Sequence, residues 1–212
     1  CHLHELNNCL PAVEWLKKRG YLVGLNLMQI SNCSYKEITK HAKKASKYPI
    51  DVLYFADSLG SLDSQKIDNI IKAFKAGWQG ELGIHTHDNM GQALANVNKS
   101  IDAGVTWVDG TINGMGRGPG NAQTEYLILA LKKKYKNNRS LIQLLKLIKK
   151  YFKPLQIKYK WGINPFYFLA GKNSIHPTYI QEMMQDDRYK EEDIISAIEY
   201  LKNKGGKNFS YS

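Results

Sequence analysis

The chain has 212 residues, 43% of them hydrophobic, and a net charge of +11 from 30 Lys and Arg against 19 Asp and Glu. No apolar run reaches the roughly 18 residues that a membrane helix needs, and the first residues lack the succession of a secretory leader, so a cytoplasmic globular protein with no membrane partner is expected. The excess charge sits in one place: eleven bases and no acid fall between Lys132 and Lys160, and the remainder is balanced.

A Lys-rich helical stretch of that kind reads first as a solvated face, with an anion-binding or partner surface as the alternative. It has no regularly interleaved aromatics and no nucleic-acid motif, which disfavours nucleic acid as a partner. Cys1, Cys9 and Cys33 show neither a disulfide framework nor zinc-knuckle spacing and are expected to be reduced.

The opening CHLHEL has no initiator Met, and His2, His4 and Leu6 alternate with Leu3 and Glu5 as in a strand already under way. A truncated first strand, and hence a chain that is part of a longer one, is expected. Helix should follow from Pro11 to Arg19. Strands are then expected at Tyr21 to Ile30, Asp51 to Asp57, Glu81 to His87 and Thr106 to Ile112. The intervening helices are Ser34 to Lys47, Ser64 to Ala76 and Gly91 to Ala103. Ser34 and Glu37 have capping-box spacing, Ser64 stands as a second cap, and Gly104 suits a left-handed C-cap.

Five strand-loop-helix repeats argue for an α/β fold with a parallel sheet, either doubly wound or a (β/α)8 barrel. Reactive residues follow several successive strands, as at a barrel mouth: Asp57 and Ser58, then His85, His87 and Asp88, then Asn113 through Asn121. His4 and Glu5, at the end of the opening strand, would project to the same mouth, where substrate contact and a structural role are equally open. The expected fold is therefore the C-terminal part of a TIM barrel, about five strands in residues 1–135, with a helical extension in 136–212. Within the extension, Leu141 to Phe152 should be helical and end at Pro154. Trp161 to Ala170 should form an aromatic turn region, and Glu191 to Lys202 a last helix closed by Gly205 and Gly206. His176 before Pro177 reads as a helix-entry turn.

Two constellations carry chemistry. In His85-Thr86-His87 the imidazoles lie two apart on a strand, so both side chains face the same way and can present nitrogen to one ion. Hydrogen-bonded structural or acid-base histidines are the other reading. After the next strand, Gly114-Met115-Gly116-Arg117-Gly118-Pro119-Gly120-Asn121 has backbone freedom to wrap a ligand, with Arg117 available to an anion and Asn121 to a metal or hydroxyl. It is neither a dinucleotide fingerprint nor a P-loop.

Taken together, GIHTHDNMGQALANVNKSIDAGVTWVDGTINGMGRGPGNAQTE (Gly83 to Glu125) resembles the last two βα units of the pyruvate-type metallo-aldolase and lyase superfamily. That superfamily includes 4-hydroxy-2-oxovalerate aldolase, hydroxymethylglutaryl-CoA lyase and isopropylmalate synthase. The resemblance continues upstream through YFADSLGSL (Tyr54 to Leu62) and fades in the C-terminal helices. It implies His85, His87 and Asn121 as metal ligands, Mn²⁺ or Mg²⁺ ahead of Zn²⁺ or Co²⁺, and a 2-oxo acid substrate handled as a pyruvate enolate. It also implies Arg117 and, as an acid, Tyr167 in catalysis, with His4, Glu5, Asp57, Ser58 and Asp88 near substrate; core packing is the other reading of Tyr167. The family's further Asp ligand and its Arg have no counterpart in this sequence. The loop from Gly114 to Asn121 has no Cys, which favours the aldolase-like members over the hydroxymethylglutaryl-CoA lyases. Acyl-CoA-using members, or a non-catalytic module with a basic docking surface, are the alternatives; a dehydrogenase or other enzyme partner and a homo-oligomer are further implications.

Overall fold

The computed structural model describes residues 1–132, 134, 136 and 140–210, in two compact units that are treated separately below. Among the described residues no helix is long and apolar enough to cross a membrane.

The first unit comprises residues 1–58, 62–86 and 95–109. In chain order it contains α1 (Leu6–Lys17), β1 (Gly24–Leu27), α2 (Tyr35–Ala45), β2 (Val52–Asp57), α3 (Ser64–Lys75), β3 (Glu81–Thr86), most of α4 (Ala93–Asp102) and β4 (Trp107–Val108). The strands are parallel and lie in the order β1-β2-β3-β4, so each helix carries the chain to the adjacent strand. A doubly wound sheet would reverse direction at a switch point, and this sheet does not. Burial on both faces explains the near-continuous apolar run of β2. Leu53, Phe55 and Ile84 are buried in the strands, with Ile38, Ile67 and Phe74 from α2 and α3; the Phe55 and Phe74 rings stack at 5.4 Å.

The opening segment departs from expectation. Leu3–Glu5 is a 3₁₀ turn that runs into α1, so His4 and Glu5 do not end a strand. The Glu5 carboxylate accepts the His2 N–H at 2.8 Å, and Leu6, Leu10 and Val13 supply a helical face that outweighs a short alternation. Only Cys1 behaves as a parallel neighbour: its N–H donates to the Asn26 carbonyl and its carbonyl accepts from Met28, on the outer edge of β1. Among the described residues the sheet therefore has four strands, where about five were expected. Pro11 lies inside α1 rather than at its start, on the exposed side where water can meet the carbonyl it leaves without a partner.

Local signals explain the other boundaries. Ser34 and Glu37 form the expected capping box of α2. At α3 the cap is Asp63, whose carboxylate accepts the Lys66 N–H, rather than Ser64. Gly104 takes φ +90° just beyond α4. β1 and β4 are shorter than expected: Tyr21 and Leu22 are exposed outside the sheet, and after Val108 the chain bends toward a 3₁₀ turn at Ile112–Gly114.

The second unit comprises residues 59–61, 87–94 and 110–212. It holds α5 (Thr124–Lys132), α6 (Ile142–Leu147), a π-helical segment (Ile148–Phe152), α7 (Lys153–Tyr159), α8 (Pro165–Lys172), α9 (Pro177–Gln185) and α10 (Glu191–Lys204). The expected boundary at 135 and 136 falls partly on Tyr135, which lies outside the described residues, as do Lys133 and Arg139 of the basic run. Pro154 does not stop the helix. It occupies the first turn of α7, directly after the π-helical segment, where the hydrogen-bond register changes and its missing N–H is tolerated. The aromatic segment expected as a turn folds from Pro165 into α8, capped by the Asn164 side chain, which accepts the Tyr167 N–H at 2.9 Å. Tyr167, Ala170, Ile175, Ile180, Ile194 and Ile198 form the core of the last three helices. His176 caps α9 as expected, and Gly205 closes α10 at φ +89°.

Candidate functional site

In the first unit the chemistry begins at the carboxyl end of β3. His85 precedes the last strand residue, and its Nδ1 lies 3.1 Å from Asp109 Oδ2. Asp109 is held there by the sheet: its N–H donates to the Ile84 carbonyl at 3.1 Å, one step beyond β4. The Tyr54 hydroxyl, from β2, donates to the same carboxylate, and burial, then the Asp109 charge and hydrogen bond, push the phenol up to about 12. Tyr54 pairs in register with Gly83 on β3, where a Cβ would stand 2.5 Å from the Tyr54 ring. Two other predicted residues fix loops: the buried Asp57 carboxylate accepts the Leu62 N–H at 3.1 Å, and Ser58 Oγ accepts the Gln29 N–H at 3.0 Å. Glu5 is engaged with the His2 backbone, and the His4 ring stacks on His2 at 5.4 Å.

In the second unit His87 bridges Asn121 through the backbone, and the Asp88 N–H donates to the Gly120 carbonyl at 3.0 Å. The Asp88 carboxylate accepts the Ala93 N–H at 2.9 Å at the entry to α4, and burial raises its pKa. The glycine-rich loop doubles back on itself. Gly120, at φ +79°, lies so near the Gly114 carbonyl that a Cβ would sit 2.2 Å from that oxygen, so only glycine permits the fold. This closure sets Asn121 beside His87. Its Nδ2 donates to the Met115 carbonyl at 3.2 Å, while its Oδ1 is buried and has no hydrogen-bond partner among the described residues. A buried amide oxygen left without a donor costs about 1–3 kcal/mol, a cost that a bound cation or a water would remove.

Arg117, in the same loop, extends toward the start of α9. Its Nη1 lies 3.3 Å from His176 Nε2 and donates to Thr178 Oγ1 at 3.1 Å. No carboxylate pairs with it among the described residues. Burial, then the Arg117 charge, press the His176 pKa down to about 4, so the ring is neutral at pH 7 and has a single acceptor nitrogen, for which the Thr178 N–H at Nδ1 and the guanidinium at Nε2 are alternative donors. Tyr167 is buried in the helical core with its ring against Gly118, and burial pushes its pKa up to about 12.

Sequence reasoning did not find Asp109, Tyr54 or the residues that set Asn113 in its left-handed conformation at φ 54°. The Asn113 N–H donates to Glu125 at 3.0 Å, its carbonyl accepts the Trp161 indole at 2.9 Å, and its amide donates to Gln156 at 3.0 Å. An acid at or just past a strand's end, as at Asp57 and Asp88, was the available signal for Asp109. Among the described residues no three His, Cys, Asp or Glu side chains group to hold an ion, so the imidazoles and Asn121 are at most part of a ligand set.

Parallel strands in unreversed order, with imidazole, carboxylate and amide groups after their carboxyl ends, define an α/β enzyme fold of the barrel type. The chain belongs to the HMGL-like family of aldolases and lyases, whose profile matches residues 4–150. It is 32% identical over 132 residues to 4-hydroxy-2-oxovalerate aldolase 2 of Nocardia farcinica, an alignment covering 62% of this chain and 38% of the relative. It is 35% identical over 131 residues to 2-isopropylmalate synthase 2 of Caldanaerobacter subterraneus, covering 62% and 34%. Among solved structures, the N-terminal domain of an aldolase candidate from Bacteroides vulgatus superposes with a TM-score of 0.80 at 30% identity, covering 93% of this chain and 64% of that one. The HMG-CoA lyase of Bacillus subtilis shares the fold at a TM-score of 0.62 and 20% identity, covering 77% and 58%. The chain thus spans well under half the length of these curated relatives.

Proposed function

We propose that this chain supplies part of the active site of a divalent-metal-dependent aldolase that cleaves or forms a carbon–carbon bond beside a 2-oxo acid, in the manner of 4-hydroxy-2-oxovalerate aldolase. The observation that carries the reading is the Asn121 side-chain carbonyl oxygen, buried without a donor among the described residues, in a loop closed beside His87. His85, His87 and Asn121 would hold the ion, and a mixed nitrogen and oxygen set suits Mn²⁺ or Mg²⁺. When bound, such an ion supplies Lewis acidity toward the carboxylate and keto oxygens of the substrate and so stabilises an enolate.

The chain's own residues complete the assignment. Arg117, held by two neutral groups and lacking a carboxylate partner among the described residues, has its charge available to a substrate carboxylate. Tyr167 keeps its proton through the neutral range and can serve as an acid if substrate reaches its hydroxyl. Asp57, Ser58 and Asp88 shape the loops that surround substrate. The partner expected beyond substrate is an enzyme that consumes the released aldehyde.

The test is metal content and 2-oxo acid release in the full-length protein carrying His85→Ala and His87→Ala together. Loss of both is expected. Retention of stoichiometric metal and turnover overturns the proposal, as does an Asn121→Ala variant with unchanged metal affinity.

A further inference from the structure

Within the first unit, three side chains from three adjacent strands meet in one line: Tyr54 from β2, Asp109 after β4 and His85 from β3. Sheet register makes this possible. Tyr54 stands opposite Gly83, two residues before His85, and the missing side chain at Gly83 leaves room for the ring to lie across β3. At Gly24, on β1, a Cβ would meet the other edge of the ring at 3.6 Å, an ordinary contact, so the space is demanded at Gly83 rather than there. The phenol can therefore reach past its neighbour strand to the carboxylate that engages His85.

We propose that Asp109 and Tyr54 are positioning residues for His85: the Asp109 carboxylate holds the proton of the imidazole on Nδ1 and turns Nε2 to the ion, and the Tyr54 hydroxyl fixes that carboxylate. The inference rests on the metal reading of His85, and it adds two residues that neither bind the ion nor touch substrate. The physical reason is tautomer control. A neutral imidazole has one acceptor nitrogen, and a carboxylate beside Nδ1 accepts the Nδ1 proton, leaving the Nε2 lone pair as the donor to a metal. Asp109 is itself aimed by its backbone bond to Ile84, so the orientation is built into the pairing of β3 with β4.

Two measurements on the full-length protein test this. In the metal-free protein, the ¹⁵N shifts of the His85 ring report its tautomer. The wild type is expected to be predominantly Nδ1–H, and Asp109→Asn is expected to move the population toward Nε2–H, because an amide can donate to the ring where the carboxylate could only accept. In calorimetric titration with Mn²⁺, Asp109→Asn is expected to weaken binding by about 10- to 100-fold, and Tyr54→Phe, which keeps the ring in place, by roughly threefold. A packing role alone would move neither the tautomer nor the affinity of a folded variant. An Asp109→Asn protein with the wild-type tautomer overturns the inference, and so does wild-type Mn²⁺ affinity in that variant. If His85→Ala leaves Mn²⁺ binding unchanged, the metal reading fails, while the tautomer measurement still decides whether Asp109 governs the ring.

Discussion

Replacing Gly83 by alanine asks whether the space beside Tyr54 is as tight as the sheet register implies. In a strand interior, glycine to alanine ordinarily stabilises by about 0.5–1 kcal/mol, because the unfolded chain loses freedom. Here the new methyl would stand 2.5 Å from two ring carbons of Tyr54, a separation that real Cβ atoms essentially never show. The ring must shift or the strands must part, and overpacking of this kind costs about 1–3 kcal/mol. The expected sign is therefore opposite to the background effect. A double-mutant cycle isolates the clash: Gly83→Ala should destabilise the wild type by about 1–2 kcal/mol, yet be neutral or stabilising in a Tyr54→Ala background, a coupling of roughly 2 kcal/mol. Urea unfolding at pH 7, followed by far-UV circular dichroism, gives all four corners. Gly83→Ala that raises the midpoint in both backgrounds would refute the close packing of the ring against β3, and with it the route by which the phenol reaches Asp109.

Acid should unfold the second unit partly through His176. Its folded pKa, about 4, lies below the ordinary value of 6.5, so the unfolded state binds more protons. The contribution is present above pH 6.5 and is lost as pH falls toward 4. The full shift corresponds to a ceiling of about 3 kcal/mol, which solvent around the half-buried ring reduces to roughly 1–2 kcal/mol. His176→Asn, which retains a capping side chain, should flatten the stability loss between pH 7 and 4.5 by that amount, and an unchanged slope would count against it. Ser34→Ala should lower stability by about 1 kcal/mol through loss of the α2 capping box, read as a shift in the urea midpoint. Trp161→Phe leaves the Asn113 carbonyl without its indole donor and should cost about 1–3 kcal/mol, with faster amide exchange through residues 113–121 as the specific readout.

Much of the architecture was legible because it is local. Ser34 with Glu37, Gly104 after α4, and the apolar run of β2 each announce an element within a few residues. The misreadings share a cause. At the start of the chain, six alternating residues resembled a strand until Leu6, Leu10 and Val13 extended a helical period past them. Pro154 reads as a stop because no sequence rule announces a π-helical segment before it. At the candidate site the residues proposed as ligands stand out in the sequence, and the side chains that touch His85 and Arg117 do not. His85 meets Asp109 across 24 residues, and Arg117 meets His176 across 59, pairings set by sheet register and helix docking rather than by local spacing.

The three-way grip on Asn113 changes what the C-terminal helices are for. Gln156 lies within the basic run and Trp161 just past it, yet both fasten the residue that leads into the glycine loop. A loop with four glycines would otherwise have to surrender its entropy each time a ligand arrived. Held in this way it is preorganised, and the helices that follow act as its clasp, so shortening the chain after α5 should weaken capture of the proposed ion even where His85, His87 and Asn121 survive.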